Sequence, residues 1–259
     1  MQSHPLTAPS VLLVEDNPDV VEYLSACLQE HYYLDFAYNG QAGIDMALQN
    51  VPDLIVSDVM MPYKDGFEVL ETLKNDERTS HIPIVLLTAK ADIQSRLAGL
   101  RKGADAYLSK PFHQEELLVT LENLLESRRK LQAKYQQNVL TTTALTVTEP
   151  DPEDSFLQKV RAVVEKNLSN ADFEMPQLER ALAMSRSQIF RKIKALTGKS
   201  PSLFIRSIRL HHGKQMLLST TLTVSEIAYE VGFSSLNYFS DAFFEEFGER
   251  PLKARGGGE

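Results

Sequence analysis

The chain has 259 residues, long enough for two domains, with 27 Lys+Arg against 35 Asp+Glu and a formal net charge of −8 at pH 7. No apolar run approaches the roughly 20 residues that span a bilayer, and the opening MQSHPLTAPS lacks the basic start and apolar stretch of an export signal, so the expectation is a cytoplasmic protein away from the membrane. Cys27 is the only cysteine, which excludes an internal disulfide.

The charge is divided unevenly. Residues 1–129 hold 10 Lys+Arg and 20 Asp+Glu, whereas 155–259 hold 15 and 11. A basic C-terminal part can neutralise phosphates, which points weakly to nucleic acid.

Residues 11–14 form a short apolar run that reads as a buried strand and ends at Glu15 and Asp16. A helix follows from Pro18-Asp19, a proline and an acid suited to a first turn, with Cys27 in its apolar stripe. The run 54–56 leads to Asp58, the run 84–87 to Thr88, and the run 106–108 to Lys110-Pro111. A last helix, from 114 to about 135, carries Leu117, Leu118, Leu121, Leu124 and Leu125 on one stripe. Alternating strands and helices predict a doubly wound α/β domain with a five-stranded parallel sheet. Such sheets bind ligands at the C-terminal ends of their strands, where these three acids, one hydroxyl and one amine converge.

Their charges restrict their use. Carboxylates about 4 Å apart repel by roughly 4 kcal/mol at an effective dielectric near 20, so crowding them requires a cation or raised pKa values. Mg2+ takes octahedral oxygen ligands and suits a site with one or two carboxylates and a phosphoryl oxygen. Asp58 is then free to attack phosphorus, with Lys110 balancing the equatorial oxygens and Thr88 donating to one of them. Any one of these residues taken singly is more often a helix cap or turn residue. It is their conjunction on four strand ends that argues for a site.

The stretches VLLVEDNPDV, LIVSDVMMPYKDG, VLLTAK and DAYLSKPF resemble, in order, the receiver domain of bacterial two-component response regulators. The resemblance implies that Asp58 accepts phosphate from a histidine kinase. It implies that Asp16, Asp58 and the backbone carbonyl of Met60 hold Mg2+, with Glu15 acting through water. It further implies that Thr88 and Tyr107 form a switch pair and that the Lys110–Pro111 bond is cis.

Periodicity stops between Asn138 and Asp154, where TTTALTVTEPDPED reads as a linker. Beyond it lie two helix-turn-helix patterns. In one, residues 177–182 lead to Ser185, a cap for a helix over 186–196. In the other, 224–231 lead through Gly232 to a helix over 236–247, and a long helix over 201–218 joins the two, with Leu203, Phe204, Ile208 and Leu217 expected inward. The neighbours His211 and His212 point about 100° apart on that helix and are poorly placed to share a metal ion.

MSRSQIFRKIKALTGKSP, FIRSIRL and LTVSEIAYEVGFSSLNYFSDAFFEEFGERP resemble the DNA-binding domain of the AraC family. That implies two recognition helices entering successive major grooves about 34 Å apart. On the first, helix geometry puts Ser187, Phe190 and Arg191 on one face, with Arg191 suited to guanine and Phe190 to a thymine methyl, and Arg186, Lys192 and Lys194 nearer phosphates. The second departs from the family pattern, with Asp241, Phe244, Glu245 and Glu246 where relatives often carry basic residues. Asn237 and Ser240 are left as its expected contacts.

The expected domains are a tail (1–9), a receiver (10–136), a linker (137–154), an all-α AraC-type DNA-binding domain (155–255) and a second tail (256–259). The expectation is a phosphorylation-dependent transcription regulator, not an enzyme. Its partners would be a histidine kinase and double-stranded DNA, RNA polymerase is a candidate partner, and the receivers would form a homodimer once phosphorylated. A receiver-based interaction module with weakened DNA binding, and the C-terminal part of a hybrid sensor kinase, stay open. A haloacid-dehalogenase-type hydrolase would need a second Asp where Met60 stands.

Overall fold

A computed structural model describes residues 8–89, 103–138 and 152–256, and the chain divides into two compact units between Leu131 and Gln132. In the first unit, β1 (Ser10–Val14), β2 (Tyr33–Ala37), β3 (Leu54–Asp58), β4 (Ile84–Ala89) and β5 (Ala106–Lys110) form an all-parallel sheet in the order β2-β1-β3-β4-β5. The helices are α1 (Pro18–Leu28), α2 (Gly40–Asn50), α3 (Gly66–Asn75) and the part of α4 (Gln114–Asn138) that precedes the division.

Successive strand residues face opposite sides of a sheet, so each strand supplies two cores. Leu12, Val14, Ile55, Ile84 and Leu86 pack with Ile44, Ala47, Val69, Leu70 and Leu73 of α2 and α3. Val11, Leu13, Leu54, Val56, Val85 and Leu87 pack with Leu24, Cys27, Leu28, Leu117 and Leu121 of α1 and α4. Each such aliphatic side chain contributes about 1.5–3 kcal/mol on burial, which fixes the strand ends relative to one another. Asn17 caps α1 by accepting from the Asp19 amide at 3.0 Å, with Pro18 in the first turn. Asp65 and Glu68 form a reciprocal capping box on α3.

The second unit contains α5 (Pro152–Lys166), α6 (Met175–Leu182), α7 (Arg186–Thr197), α8 (Pro201–Ser219), α9 (Val224–Glu230), α10 (Leu236–Phe247) and α11 (Pro251–Ala254). The long α8 serves two cores. Its N-terminal Phe204, Ile205 and Ile208 pack with α5, α6 and α7, whereas Leu210 and Leu217 pack with α9 and α10. Leu203, expected inward, is 44% exposed, because the buried stripe of α8 runs through 204, 205 and 208 instead.

Helical structure reaches Asn138 and resumes at Pro152, so helices occupy both ends of the segment expected to be linker at 137–154. Proline at a first helical position loses no hydrogen bond, which explains why the acidic run EPDPED does not delay α5. Residues 139–151, like most of the two expected tails, lie outside the described residues.

Candidate functional site

The sheet order reverses direction at β1, and the acids lie at the C-terminal end of β1 and of its neighbour β3. Glu15 continues β1, its amide donating to Ala37 O at 3.0 Å, and it is 1% exposed. Asp58 closes β3 and is nearly as buried, while Asp16 is exposed. Carboxylate oxygens of Glu15, Asp16 and Asp58 all lie within 4.8 Å of one another.

Lys110 ends β5 ahead of a cis bond to Pro111, and its Nζ lies 2.7 Å from Glu15 Oε2 and 2.8 Å from Asp58 Oδ1. Burial pushes the Glu15 carboxyl above its ordinary value despite the bond from Lys110. Burial also opposes the charge on Lys110, but its bonds to Asp58 and Glu15 outweigh that and raise it. One cation thus offsets two crowded carboxylates, leaving a net negative pocket of hard oxygen donors, which is the donor set that Mg2+ accepts.

Gly66 lets α3 approach this corner. A Cβ there would stand 2.3 Å from the Asp58 carbonyl oxygen, and its amide donates to Val59 O at 3.0 Å. Thr88 is half-buried near the end of β4, one residue beyond Leu87, which pairs with Asp58. Tyr107 is half-buried on β5, and its ring packs against the α2–α3 core. Its hydroxyl is buried without a partner among the described residues, and burial pushes it up to about 12. Met60 stands two residues past Asp58 and is 75% exposed.

In the second unit, Ser185 caps α7 in a box with Gln188, and Gly198 ends the helix at φ +70°. Ile189, Ile193 and Leu196 face the core, while Arg186, Ser187, Phe190, Arg191 and Lys194 are exposed. Lys192 is a correction to the expected phosphate contacts. Its side chain is fully buried with Nζ 4.4 Å from the centre of the Phe156 ring, so a duplex cannot reach it. The face of α7 available to a ligand is therefore narrower than its basic sequence suggests.

On α10, Asn237 is exposed and Ser240 half-buried. The acids that set this helix apart are all paired within the unit. Glu246 accepts from Lys199 at 2.7 Å and from Ser207 at 2.9 Å, Glu245 meets Arg206 at 3.1 Å, and Asp241 meets Arg250 at 2.7 Å. The bonds from Lys199 and Ser207 hold the Glu246 carboxyl below its ordinary value even though burial acts the other way. Sequence reasoning missed these pairings, and it missed Arg250 and the exposed Tyr238 as members of this face. No local signal marks them, because each partner comes from another helix or turn.

Residues 11–122 match the family model of the response regulator receiver domain, and residues 178–257 match that of a helix-turn-helix domain of AraC type. Over 208 residues the chain is 34% identical to the DNA-binding dual master transcriptional regulator RpaA of Synechocystis sp., an alignment covering 78% of this chain and 83% of that protein. The chain belongs to the two-component response regulators. The regulator is also 38% identical over 242 residues to Histidine kinase P4 of Formosa agariphila, covering 93% of this chain but 18% of that protein. The curated relatives of this kind are thus far longer than the segment they share with the regulator. Among solved structures, the chemotaxis response regulator CheY4 of Vibrio cholerae is 32% identical with a TM-score of 0.44, covering 46% of this chain and 99% of that one. No described helix is long and apolar enough to cross a membrane.

Proposed function

We propose that the regulator is switched by phosphorylation of Asp58 and that the switch governs DNA binding by its two helix-turn-helix motifs. The observation that carries this reading is the Lys110 ammonium held between Glu15 and Asp58 inside a cluster of three carboxylates. An Asp58 oxygen attacks the phosphorus of a phosphohistidine on the kinase. The P–N bond breaks, the imidazole leaves with its electron pair, and an acyl phosphate forms on Asp58. Lys110 and the Thr88 hydroxyl face the transferred oxygens. Asp16, Asp58 and the Met60 carbonyl would hold Mg2+, with Glu15 through water, and the ion would supply charge neutralisation at those oxygens.

Tyr107 supports the second half of the proposal. A buried hydroxyl with no partner among the described residues costs about 1–3 kcal/mol, which supports a bistable face shared by the inward ring and Thr88. Once phosphorylated, receivers pair as a homodimer, which raises the effective concentration of tethered DNA-binding units.

Incubation with a radiolabelled histidine kinase or a small phosphoryl donor, with and without Mg2+, tests this. The expected result is Mg2+-dependent label that Asp58→Ala abolishes, together with a doubled mass in sedimentation. Label that persists in Asp58→Ala would overturn the assignment, and an unchanged mass would reject the dimer.

A second reading has its own support in the long alignment to Histidine kinase P4. There the phosphoryl group reaches Asp58 from a kinase on the same polypeptide. Immunoblotting of source cells for the receiver decides between them: a band much larger than 29.1 kDa favours the hybrid arrangement.

A further inference from the structure

The two helix-turn-helix motifs are offset copies of one plan. Ser185 and Gly198 bound α7, Ser235 and Gly248 bound α10, and both helices run 12 residues, so each position of α10 has its counterpart fifty residues earlier. The buried pair Ile189 and Ile193 answers to the buried pair Phe239 and Phe243. On the outward face the positive charge is reversed or lost: Arg191 answers to Asp241, and Lys194 to Phe244.

Arg250, the residue before α11, brings a guanidinium back to that register. Its Nη1 donates to Asp241 Oδ1 at 2.7 Å, and its Cζ lies 5.3 Å from the centre of the Phe244 ring. Both partners remain open to solvent, at 57% for the Arg250 side chain and 65% for that of Asp241.

We infer that Arg250 is the base-reading cation of the second motif, taking a guanine edge in the major groove, and that Asp241 is its positioning residue. The inference rests on the DNA-binding reading above. An ion pair this exposed adds little to stability, so a staple is a weak reason for it. Asp241 occupies one N–H of the guanidinium, and the ring of Phe244 orients its plane. The remaining fork suits guanine O6 and N7, a pairing that loses less entropy when the fork is already held.

The carboxylate itself distinguishes a base from a phosphate. Beside a phosphate Asp241 would meet a like charge, whereas beside base edges it can accept from a cytosine amine. Of the other two acids of α10, Glu246 is turned into the protein by Lys199 and Ser207, and Glu245, although exposed, is held by Arg206 of α8, so Asp241 is the outward acid that carries the Arg250 guanidinium.

The probe is a pool of duplexes with a randomised centre, passed over the phosphorylated full chain and sequenced after several rounds. The wild type is expected to enrich two blocks about one helical turn apart. Arg250→Ala should lose the guanine preference of one block by about tenfold while keeping the other, and Arg191→Ala should do the reverse. Asp241→Ala should lose the same preference as Arg250→Ala, although it removes a negative charge. Arg250→Lys should restore affinity for the pool but not the preference.

An Asp241→Ala chain that keeps both blocks and binds random duplex more tightly would overturn the inference, since the acid would then merely repel DNA. Arg250→Lys with full preference would overturn it too, because a point charge would suffice. Wild type that enriches no sequence would instead sink the DNA-binding reading itself.

Discussion

Arg209 joins the two cores of the C-terminal unit, donating through Nη1 to Gly232 O at 3.1 Å and through Nη2 to Asn170 O at 2.6 Å. Gly232 sits at φ +78° in the turn of the second motif, and a Cβ there would lie 2.3 Å from the Leu168 carbonyl oxygen. Burial draws the guanidinium below its ordinary value, yet it satisfies the carbonyl of the buried Gly232 and reaches that of the exposed Asn170. Arg209→Met keeps much of the volume and leaves the buried Gly232 carbonyl unpaired, at a cost of about 2 kcal/mol. In urea unfolding of the full chain the C-terminal transition should move to lower denaturant while the receiver transition stays in place. A shift of the receiver transition instead would contradict this role.

Lys192 and Lys194 should behave oppositely despite their adjacency. Each phosphate neutralised contributes about 0.9 to the slope of log K against log salt. Lys194→Ala and Arg186→Ala should each lower that slope on a random-sequence duplex by about this amount. Lys192→Met should leave the slope unchanged and register in thermal stability, since its ammonium lies over Phe156. Fluorescence anisotropy across a salt series separates the two outcomes.

Tyr107→Phe removes a buried hydroxyl that has no partner among the described residues. Stability of the receiver transition should rise by about 1 kcal/mol, read from denaturant midpoints at constant slope. A loss of stability would mean that the hydroxyl is satisfied in solution.

The pocket was legible because it depends on short-range rules. An apolar run of about four residues makes a buried strand, and the next residue then lies at its C-terminal end, so Glu15, Asp58 and Lys110 could be placed before any contact was known. The cap at Ser185 and the bounds of α7 and α10 follow from equally local signals. What failed depends on distant partners. Lys192 reads as one more cation in RKIK, and only the approach of Phe156 from α5 buries it. The acids of α10 read as a repulsive face, and only Lys199, Arg206 and Arg250, brought from outside the helix, neutralise them. The offset of Leu203 from the buried stripe of α8 likewise follows from where α5 and α7 lie.

His211 gives the C-terminal unit a pH dependence whose sign can be worked out. The ring is half-buried on α8. Its Nδ1 donates to Ser207 O at 2.9 Å, and its edge meets the Phe247 ring at 4.9 Å. Glu246 is the facing acid, while Lys199 and Lys214 are the facing cations. Burial is the dominant influence and lowers the imidazole below its ordinary 6.5, with the Ser207 bond and Glu246 acting the other way. As pH falls through 6.5 the unfolded chain therefore takes up the proton first, and stability drops until the folded state also protonates. Above 6.5 both states are neutral and this contribution is flat. The urea midpoint of the C-terminal transition should be lower at pH 5.5 than at pH 7.5, and His211→Gln should remove that component of the difference. A midpoint that rises on acidification, or a dependence unchanged in His211→Gln, would assign the titration to another group.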